Sequence, residues 1–444
     1  MRLEVRPATA ALRGSARVPG DKSIGHRAVL FGALGQGCSR VRGLSGGEDN
    51  ARTVALLEAL GVRIVRLDAH SLDVHGAGLD ALLASGGPLD CGNSGTTMRL
   101  CAGLLAGVPG RHVLFGDEYL HRRPMRRVAA PLRLMGAVID GAAGARAGEL
   151  YPPLAIEGRR PLAGLVHACE VASAQVKSAI LLGGLSADGP VTVREPGPSR
   201  DHTERMLRAR GVPITVDGLS ATLDPRGWDR RIAALDVDVP GDPSSAAFLA
   251  VAAAIVPGSE VRLEEVLLND TRTGFLDALG AMGAAVSIEG RRDAGGEPVG
   301  VVVVRAGALR GTTIAGELVV RALDELPILA VAAACAEGTT VIRDAAELRV
   351  KESDRVATTV RMLRALGVAA DERPDGMIIE GRAGRPLSAG RVESAGDHRI
   401  AMSGAVASLV ADAACVIDDA ANVRTSFPSF VHTLRALGAD LDER

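Results

Sequence analysis

The 444-residue chain carries 51 Lys and Arg against 53 Asp and Glu, a formal net charge of −2, with 47% hydrophobic but only 2% aromatic residues. A near-neutral envelope with so few rings excludes binding of nucleic acid or acidic membrane through overall charge or base stacking. Apolar runs such as 248–257 and 326–336 fall short of the ~18–20 residues of a membrane span and the N-terminus lacks a signal-peptide core, so a soluble, cytoplasmic protein too long for one core is expected.

In chain order the elements repeat. An Ala-rich helical stretch opens after each of GDKS (20–23), GNSGTT (92–97), ASAQ (172–175), GDPSS (241–245), ALDE (322–325) and GDHR (396–399). Between these, six further helical stretches end in Gly61, Gly136, Gly211, Gly283, Gly367 and Gly438, at nearly even intervals. Glycine at the end of an apolar-periodic segment is the expected left-handed C-cap, and self-similarity at a fixed period means one supersecondary unit copied. Each copy reads strand, helix, strand, Gly-capped helix, strand. The stretch 18–23 (VPGDKS) recurs as 239–244 (VPGDPS), a shift of half the chain. The expected fold is α/β, with two domains of three βαβαβ-type copies each.

Cys38, Cys91, Cys101, Cys169, Cys335 and Cys415 form no CxxC pair and have no histidine at ligand spacing, so reduced structural thiols and no metal are expected.

Packing explains the glycines and apolar residues of a repeat; it does not explain why some copies carry dense charge at their helix starts. In 21–27 (DKSIGHR) Lys22, Ser23 and Arg27 stand where the fourth copy, 242–248 (DPSSAAF), has no basic residue. Lys22 alone reads as a solvated lysine, but Lys22 with Arg27 at a helix N-terminus points to an anion. Gly92 and Gly95 allow close approach to backbone N–H groups, although Gly-Ser-Thr loops are also ordinary turns. In 121–127 (HRRPMRR) Arg126 and Arg127 read as solvent-facing, whereas Arg122 and Arg123, on the extended segment before Pro124, can reach a ligand. Ser173 and Gln175 start the third copy's helix, and 199–204 (SRDHTE) follows with Arg200; Ser173 and Thr203 read equally well as N-caps. Asp324 and Glu325 enter a very apolar helix either as helix-dipole partners or with one acting as a base. The densest cluster, 349–355 (RVKESDR), places Lys351 and Arg355 four apart on a predicted helix face with Glu352 beside them. His398 and Arg399 complete the inventory of anion sites and a protonatable carboxylate pair without a metal cluster, which suits a substrate pair rich in phosphate and carboxylate.

The motifs GDKSxxxR, GNSGTTxR, RRPM, SAQVKS, RDHTE, DELP, RVKESDR, DHRIAMS and TSFP follow one another from about residue 19 to 428. In that order they make the chain resemble the 5-enolpyruvylshikimate-3-phosphate synthase family of the shikimate pathway, which serves aromatic amino-acid biosynthesis. The forms SAQVKS and RDHTE resemble the branch distinct from the common enterobacterial and plant type.

The resemblance implies domains over 20–237 and over 1–19 plus 238–444, with helix N-termini facing an interdomain cleft. It implies that Lys22, Ser23, Arg27, Ser173, Ala174 (through its backbone), Gln175, Arg200, Asp324 and Lys351 bind shikimate 3-phosphate. Lys22, Gly95, Arg123, Gln175, Arg355, His398 and Arg399 would bind phosphoenolpyruvate. Asp324 is then the base at the attacking hydroxyl, Glu352 the acid at C3 and Lys22 a bridge to the leaving phosphate, with no cofactor and a monomeric enzyme. Two positions depart from the pattern. Thr425 stands before Ser426-Phe427-Pro428 where many members have Lys before Thr-Phe-Pro, leaving Arg424 as the nearby charge, and Leu100 follows Arg99 where Pro is common. The alternative, UDP-N-acetylglucosamine enolpyruvyl transferase, usually has a reactive cysteine where this chain has Glu118. A sliding clamp would need basic residues in all six copies, and a phosphate-loop nucleotidase would need GxxxxGK spacing, which GDKS lacks.

Overall fold

The computed structural model describes residues 1–84, 86–144 and 147–444. Two compact units divide the chain. Gly20–Val239 with Asp293–Glu297 forms the N-terminal unit; Met1–Pro19, Pro240–Arg292 and Pro298–Arg444 form the C-terminal unit. The N-terminal unit contains α1 (Lys22–Leu34), α2 (Glu48–Ala59), α3 (Gly95–Ala106), α4 (Arg126–Leu134), α5 (Ala174–Gly184) and α6 (His202–Arg208). The C-terminal unit contains α7 (Pro243–Ile255), α8 (Gly274–Ala281), α9 (Glu317–Ala322), α10 (Leu326–Cys335), α11 (Arg355–Ala365), α12 (His398–Ser408), α13 (Val423–Ser426) and α14 (Phe430–Ala436).

Among the described residues there are six four-stranded sheets, three in each unit, all built to one plan. In the second copy, Leu89–Asp90 runs parallel to Gly110–Phe115, which pairs antiparallel with Tyr151–Gly158, itself antiparallel to Val138–Ala142. A fourth strand thus follows the third in a hairpin and adds to the unit read from sequence. Some sheets take strands from distant sequence. Val237–Asp238 supplies the parallel strand beside Gln36–Arg42. Arg13–Arg17 does the same for Glu260–Leu267, and Leu3–Val5 sits between Cys415–Asp418 and Leu441–Glu443. The segment Met1–Pro19 therefore completes two sheets of the C-terminal unit.

The six glycines that end the repeat's second helices all have positive φ, from +73° at Gly367 to +106° at Gly136 and Gly438, the left-handed geometry that a Cβ disfavours. Helix starts are capped by side chains: Asp21, Ser94, Ser173, Asp242 and Asp397 accept backbone N–H groups of α1, α3, α5, α7 and α12. The Ala-rich helices are the buried ones, and every residue of Leu326–Ala334 in α10 is buried. Small residues let them approach closely; a Cβ on Gly103 of α3 would collide with the Ala179 carbonyl of α5. In the C-terminal unit Phe430 packs edge-on against Phe248 and Phe427, with centroids 6.3 and 5.6 Å away. No helix of the described residues is long and apolar enough to cross a membrane.

Candidate active site

In the N-terminal unit the starts of α1, α3 and α5 carry Lys22, Ser23, Gly95, Ala174 and Gln175, while Arg27 lies one turn further into α1 and Arg123 and Arg200 lie in loops; neighbouring side chains hold several of them. Lys22, half-exposed, places Nζ 2.8 Å from Asp49 Oδ2 in the first turn of α2. Burial works to raise the Asp49 carboxyl, but Lys22 and His26 overcome it and hold it below its ordinary value. Arg27 is buried: Nε donates to Thr203 Oγ1 at 2.7 Å, Nη2 to Ser178 Oγ at 2.8 Å and Nη1 to the Ser23 carbonyl at 3.0 Å. Thr203 therefore lies inside α6 as a clamp on Arg27, not as the N-cap its sequence position allowed. Asp201 occupies the cap position. Ser173 does cap α5, accepting from Val176 N at 3.4 Å, and Ala174 is the first residue of that helix.

Gln175 is fixed at both ends of its amide. Arg99 Nη1 donates to its Oε1 at 2.7 Å, and its Nε2 donates to Thr96 Oγ1 at 2.9 Å. Burial, helped by Arg123 and Arg127, brings the Arg99 guanidinium down to about 10. Arg123 Nη2 reaches Asn93 Oδ1 at 2.5 Å. A Cβ on Gly95 would stand 2.8 Å from Arg99 Nη1 and 3.0 Å from Arg123 Nη1, so the bare glycine leaves two cationic groups close to the α3 backbone. Leu100 lies buried in the same helix.

In the C-terminal unit the cluster centres on Arg355, whose side chain is 1% exposed. Its Nε donates to Asp397 Oδ2 at 2.8 Å, Nη2 lies 2.6 Å from Glu352 Oε2, and Nη1 lies 3.5 Å from Asp324 Oδ1. Arg399 Nη1 donates to the Asp324 carbonyl at 2.8 Å, and its Nη2 lies 3.3 Å from Ser244 Oγ. Burial would raise the Glu352 carboxyl, yet Arg355 and a backbone hydrogen bond win and keep it below its ordinary value, hence ionised at neutral pH. His398, desolvated beside Arg399, is lowered to about 4 and stands neutral, so its ring offers one N–H donor. Burial pushes the Glu325 carboxyl up, and Ser244 Oγ donates to it.

The helix predicted across 349–355 is not continuous. A short 3-10 turn spans Ala346–Val350, and α11 begins only at Arg355, with Asp354 capping it through Ala357 N at 3.0 Å. Capping by Asp354 competes with helical propagation through 351–354, so Lys351 and Arg355 do not share a helix face. Lys351 instead lies 3.8 Å from Glu347. Arg424, beside the departure at Thr425, pairs with Glu443.

Asp49 and Asp397, which hold Lys22 and Arg355, are not visible in the sequence, because each pairing joins segments far apart in the chain; Thr203 is visible there only as a cap, not as the partner of Arg27, 176 positions away. Thr97, His26 and Thr53 form a further buried chain, with Thr53 Oγ1 2.7 Å from His26 Nδ1 and 2.8 Å from Thr97 Oγ1. Among the described residues one group, Asp201, His202 and Glu297, brings potential metal-ligating atoms within 4.8 Å of one another. Spacing could not reveal it because Glu297 lies 95 positions beyond His202, at the start of a strand, whereas Asp201 and His202 open α6. Its His202 Nδ1 and Glu297 Oε1 are 2.9 Å apart, the geometry of a direct hydrogen bond. The six cysteines are unpaired in disulfides. Burial raises Cys101 and Cys335 to about 12 and Cys169 to about 11.

The family model for EPSP synthase (3-phosphoshikimate 1-carboxyvinyltransferase) matches residues 7–434. The chain is 51% identical over 432 residues to the 3-phosphoshikimate 1-carboxyvinyltransferase of Halorhodospira halophila, covering 97% of this chain and 95% of that protein. With the enzyme of the same name from Anaeromyxobacter sp. it shares 53% identity over 427 residues, covering 96% of each. The 2.37 Å structure of EPSP synthase from Acinetobacter baumannii superposes with a TM-score of 0.93 at 41% identity, covering all of both chains. With sequence, motif order and fold in agreement along nearly its whole length, the chain belongs to the EPSP synthase family.

Proposed function

We propose that this protein transfers the enolpyruvyl group of phosphoenolpyruvate to the 5-hydroxyl of shikimate 3-phosphate and releases phosphate. The observation that carries the chemistry is the C-terminal cluster, where Asp324 stands between two fixed arginines, its carboxylate 3.5 Å from Arg355 and its carbonyl 2.8 Å from Arg399. A base held beside cations that bind an anion is what addition to an anionic enol ester requires.

In this reading the hydroxyl gives its proton to Asp324 as its oxygen bonds to C2 of phosphoenolpyruvate, while C3 receives a proton from Glu352. The second half returns the C3 proton and breaks the C2–O bond to phosphate, with Lys22 donating to the departing oxygen. Glu352 is ionised in the resting cluster through its contact with Arg355. A substrate anion that engages Arg355 weakens that hold and raises Glu352 toward the value an acid needs.

We assign Ser23, Arg27, Ser173, Ala174, Gln175, Arg200 and Lys351, with Lys22 and Asp324, to shikimate 3-phosphate. Gly95, Arg123, Arg355, His398 and Arg399, with Lys22 and Gln175, go to phosphoenolpyruvate. In this reading the enzyme works as a cytoplasmic monomer without a cofactor or metal.

The test is phosphate release with phosphoenolpyruvate and either shikimate 3-phosphate or UDP-N-acetylglucosamine. Release with the first acceptor alone is expected, since Glu118 stands where the sugar-nucleotide enzymes usually carry a cysteine. Comparable turnover of the sugar nucleotide would overturn the assignment.

A further inference from the structure

We infer that Lys177, acting through Glu195 and Glu204, is a positioning residue for shikimate 3-phosphate; the inference rests on the assignment of Ser173 and Arg200 to that substrate. Lys177 lies in α5, one turn beyond Ser173, with its side chain 7% exposed. Its Nζ stands 2.7 Å from Glu195 Oε2 and 2.8 Å from Glu204 Oε1, and both carboxylates are as buried as the lysine. Glu195 uses its two oxygens on two different segments. Oε1 accepts from the Ser173 backbone N–H at 2.9 Å, and Oε2 accepts from Ser199 Oγ at 2.8 Å. One carboxylate thus ties the residue that caps α5 to the residue before Arg200, and Lys177 holds that carboxylate while also gripping Glu204 in the first turn of α6.

The adjoining link is neutral. Ser178 on α5 and Thr203 on α6, next in sequence to Lys177 and Glu204, contact each other at 2.7 Å and together receive Arg27. The two links side by side fix the start of α5, the 195–200 segment and the start of α6 against α1, which are the segments bearing Ser173, Arg200 and Arg27. Stability alone gives no reason for an ion triple here, because apolar groups of the same volume usually serve a buried site as well or better. A charged triple fixes orientation instead: its hydrogen bonds accept one arrangement of the three segments. Burial opposes the charge on Lys177, yet Glu204 and Glu195 overcome it and hold the ammonium above its ordinary value, whereas at Glu204 burial prevails over Lys177 and holds the carboxyl above its own ordinary value.

Steady-state phosphate release and thermal melting of Lys177→Met, Lys177→Arg, Glu195→Gln and Arg200→Ala test this. Lys177→Met is expected to raise KM for shikimate 3-phosphate at least ~10-fold, since a ligand misplaced by about 1 Å can cost up to ~10²-fold. Its kcat and its KM for phosphoenolpyruvate should stay within about threefold. Lys177→Arg, which keeps the charge, is expected to recover most of the loss. Glu195→Gln, nearly isosteric and able to fold where Lys177→Met does not, should raise the same KM at least ~3-fold, the effect of one weakened charge-assisted contact. A merely structural lysine would lower the melting temperature and the active fraction with both KM values unchanged, and that result overturns the inference. If Arg200→Ala raises KM for shikimate 3-phosphate while Lys177→Met and Glu195→Gln leave it unchanged, the inference fails and the ligand assignment stands. If Arg200→Ala has no effect either, the assignment fails as well.

Discussion

Asp397→Asn isolates the charge that holds Arg355. Asparagine keeps nearly the same volume and still caps α12, so the cap bond to Arg399 N, 2.9 Å in the parent, survives. What is lost is the carboxylate that takes Arg355 Nε at 2.8 Å in a site where Asp397 is fully buried and Arg355 nearly so. Breaking a buried pair by removing one partner costs about 3–5 kcal/mol. Glu352 at 2.6 Å and Asp324 at 3.5 Å still face the guanidinium, so the expected loss is smaller, about 2–3 kcal/mol. For a unit of roughly 200 residues that lowers the melting temperature by about 4–12 °C.

The same pair sets a pH signature. Burial works to raise the Asp397 carboxyl, but Arg355 overrides it and the folded value lies below the ordinary one. A depressed carboxylate contributes stability that is present above its unfolded value and is lost as pH falls through the folded value. Calorimetry should therefore find the full difference between parent and variant at pH 7 and a shrinking difference below about pH 4. Equal melting temperatures at pH 7, or a difference that ignores pH, would refute the view that Asp397 neutralises a buried Arg355. Phosphate-release kinetics give a second reading: with Arg355 assigned to phosphoenolpyruvate, KM for that substrate should rise with the loss of the partner.

Gly95→Ala should raise KM for phosphoenolpyruvate more than KM for shikimate 3-phosphate, because the new methyl must displace the Arg99 and Arg123 guanidinium ends; equal changes in the two constants would count against that steric account. Asp324→Ala and Glu352→Gln should each lower kcat by ~10²–10⁴-fold, the usual worth of a proton-transfer group, and should lower the melting temperature less than Asp397→Asn does, because Asp397 still holds the Arg355 guanidinium. A near-normal kcat with weaker binding would make Asp324 a positioning group. Incubation with a strong chelator should leave kcat unchanged, and a loss restored by a divalent ion would assign a metal to Asp201, His202 and Glu297. A thiol reagent at neutral pH should label exposed Cys38 well before Cys101 and Cys335, which burial holds near 12; mass spectrometry of the modified peptides checks the order.

The sequence by itself determined what depends on neighbours along the chain. Gly61, Gly136, Gly211, Gly283, Gly367 and Gly438 mark helix ends because a left-handed cap needs no partner elsewhere, and Asp21, Ser94 and Ser173 mark helix starts because a cap reaches only a short way ahead. The α/β class and the copied unit follow from that local grammar and from apolar periodicity, and the motif order was enough to suggest the family. Tertiary structure alone decided what joins distant segments. Leu3–Val5, at the start of the chain, pairs with Cys415–Asp418 and Leu441–Glu443 near its end, and Val237–Asp238 with Gln36–Arg42, pairings that depend on hydrogen-bonding edges made available by the folded sheets. The same holds for the charges. Lys22 was visible as a cation, but Asp49 as its partner was not; Arg355 stood out, but Asp397, 42 positions on, did not. A guanidinium removed from water must find its counter-charge wherever packing brings one, and packing is a property of the whole chain. The interrupted helix at 349–355 shows the local grammar losing to the same force. Arg349 is drawn to Glu372 and the Arg373 carbonyl on a neighbouring strand, and Asp354 starts α11 only at Arg355, where the buried guanidinium reaches its carboxylates.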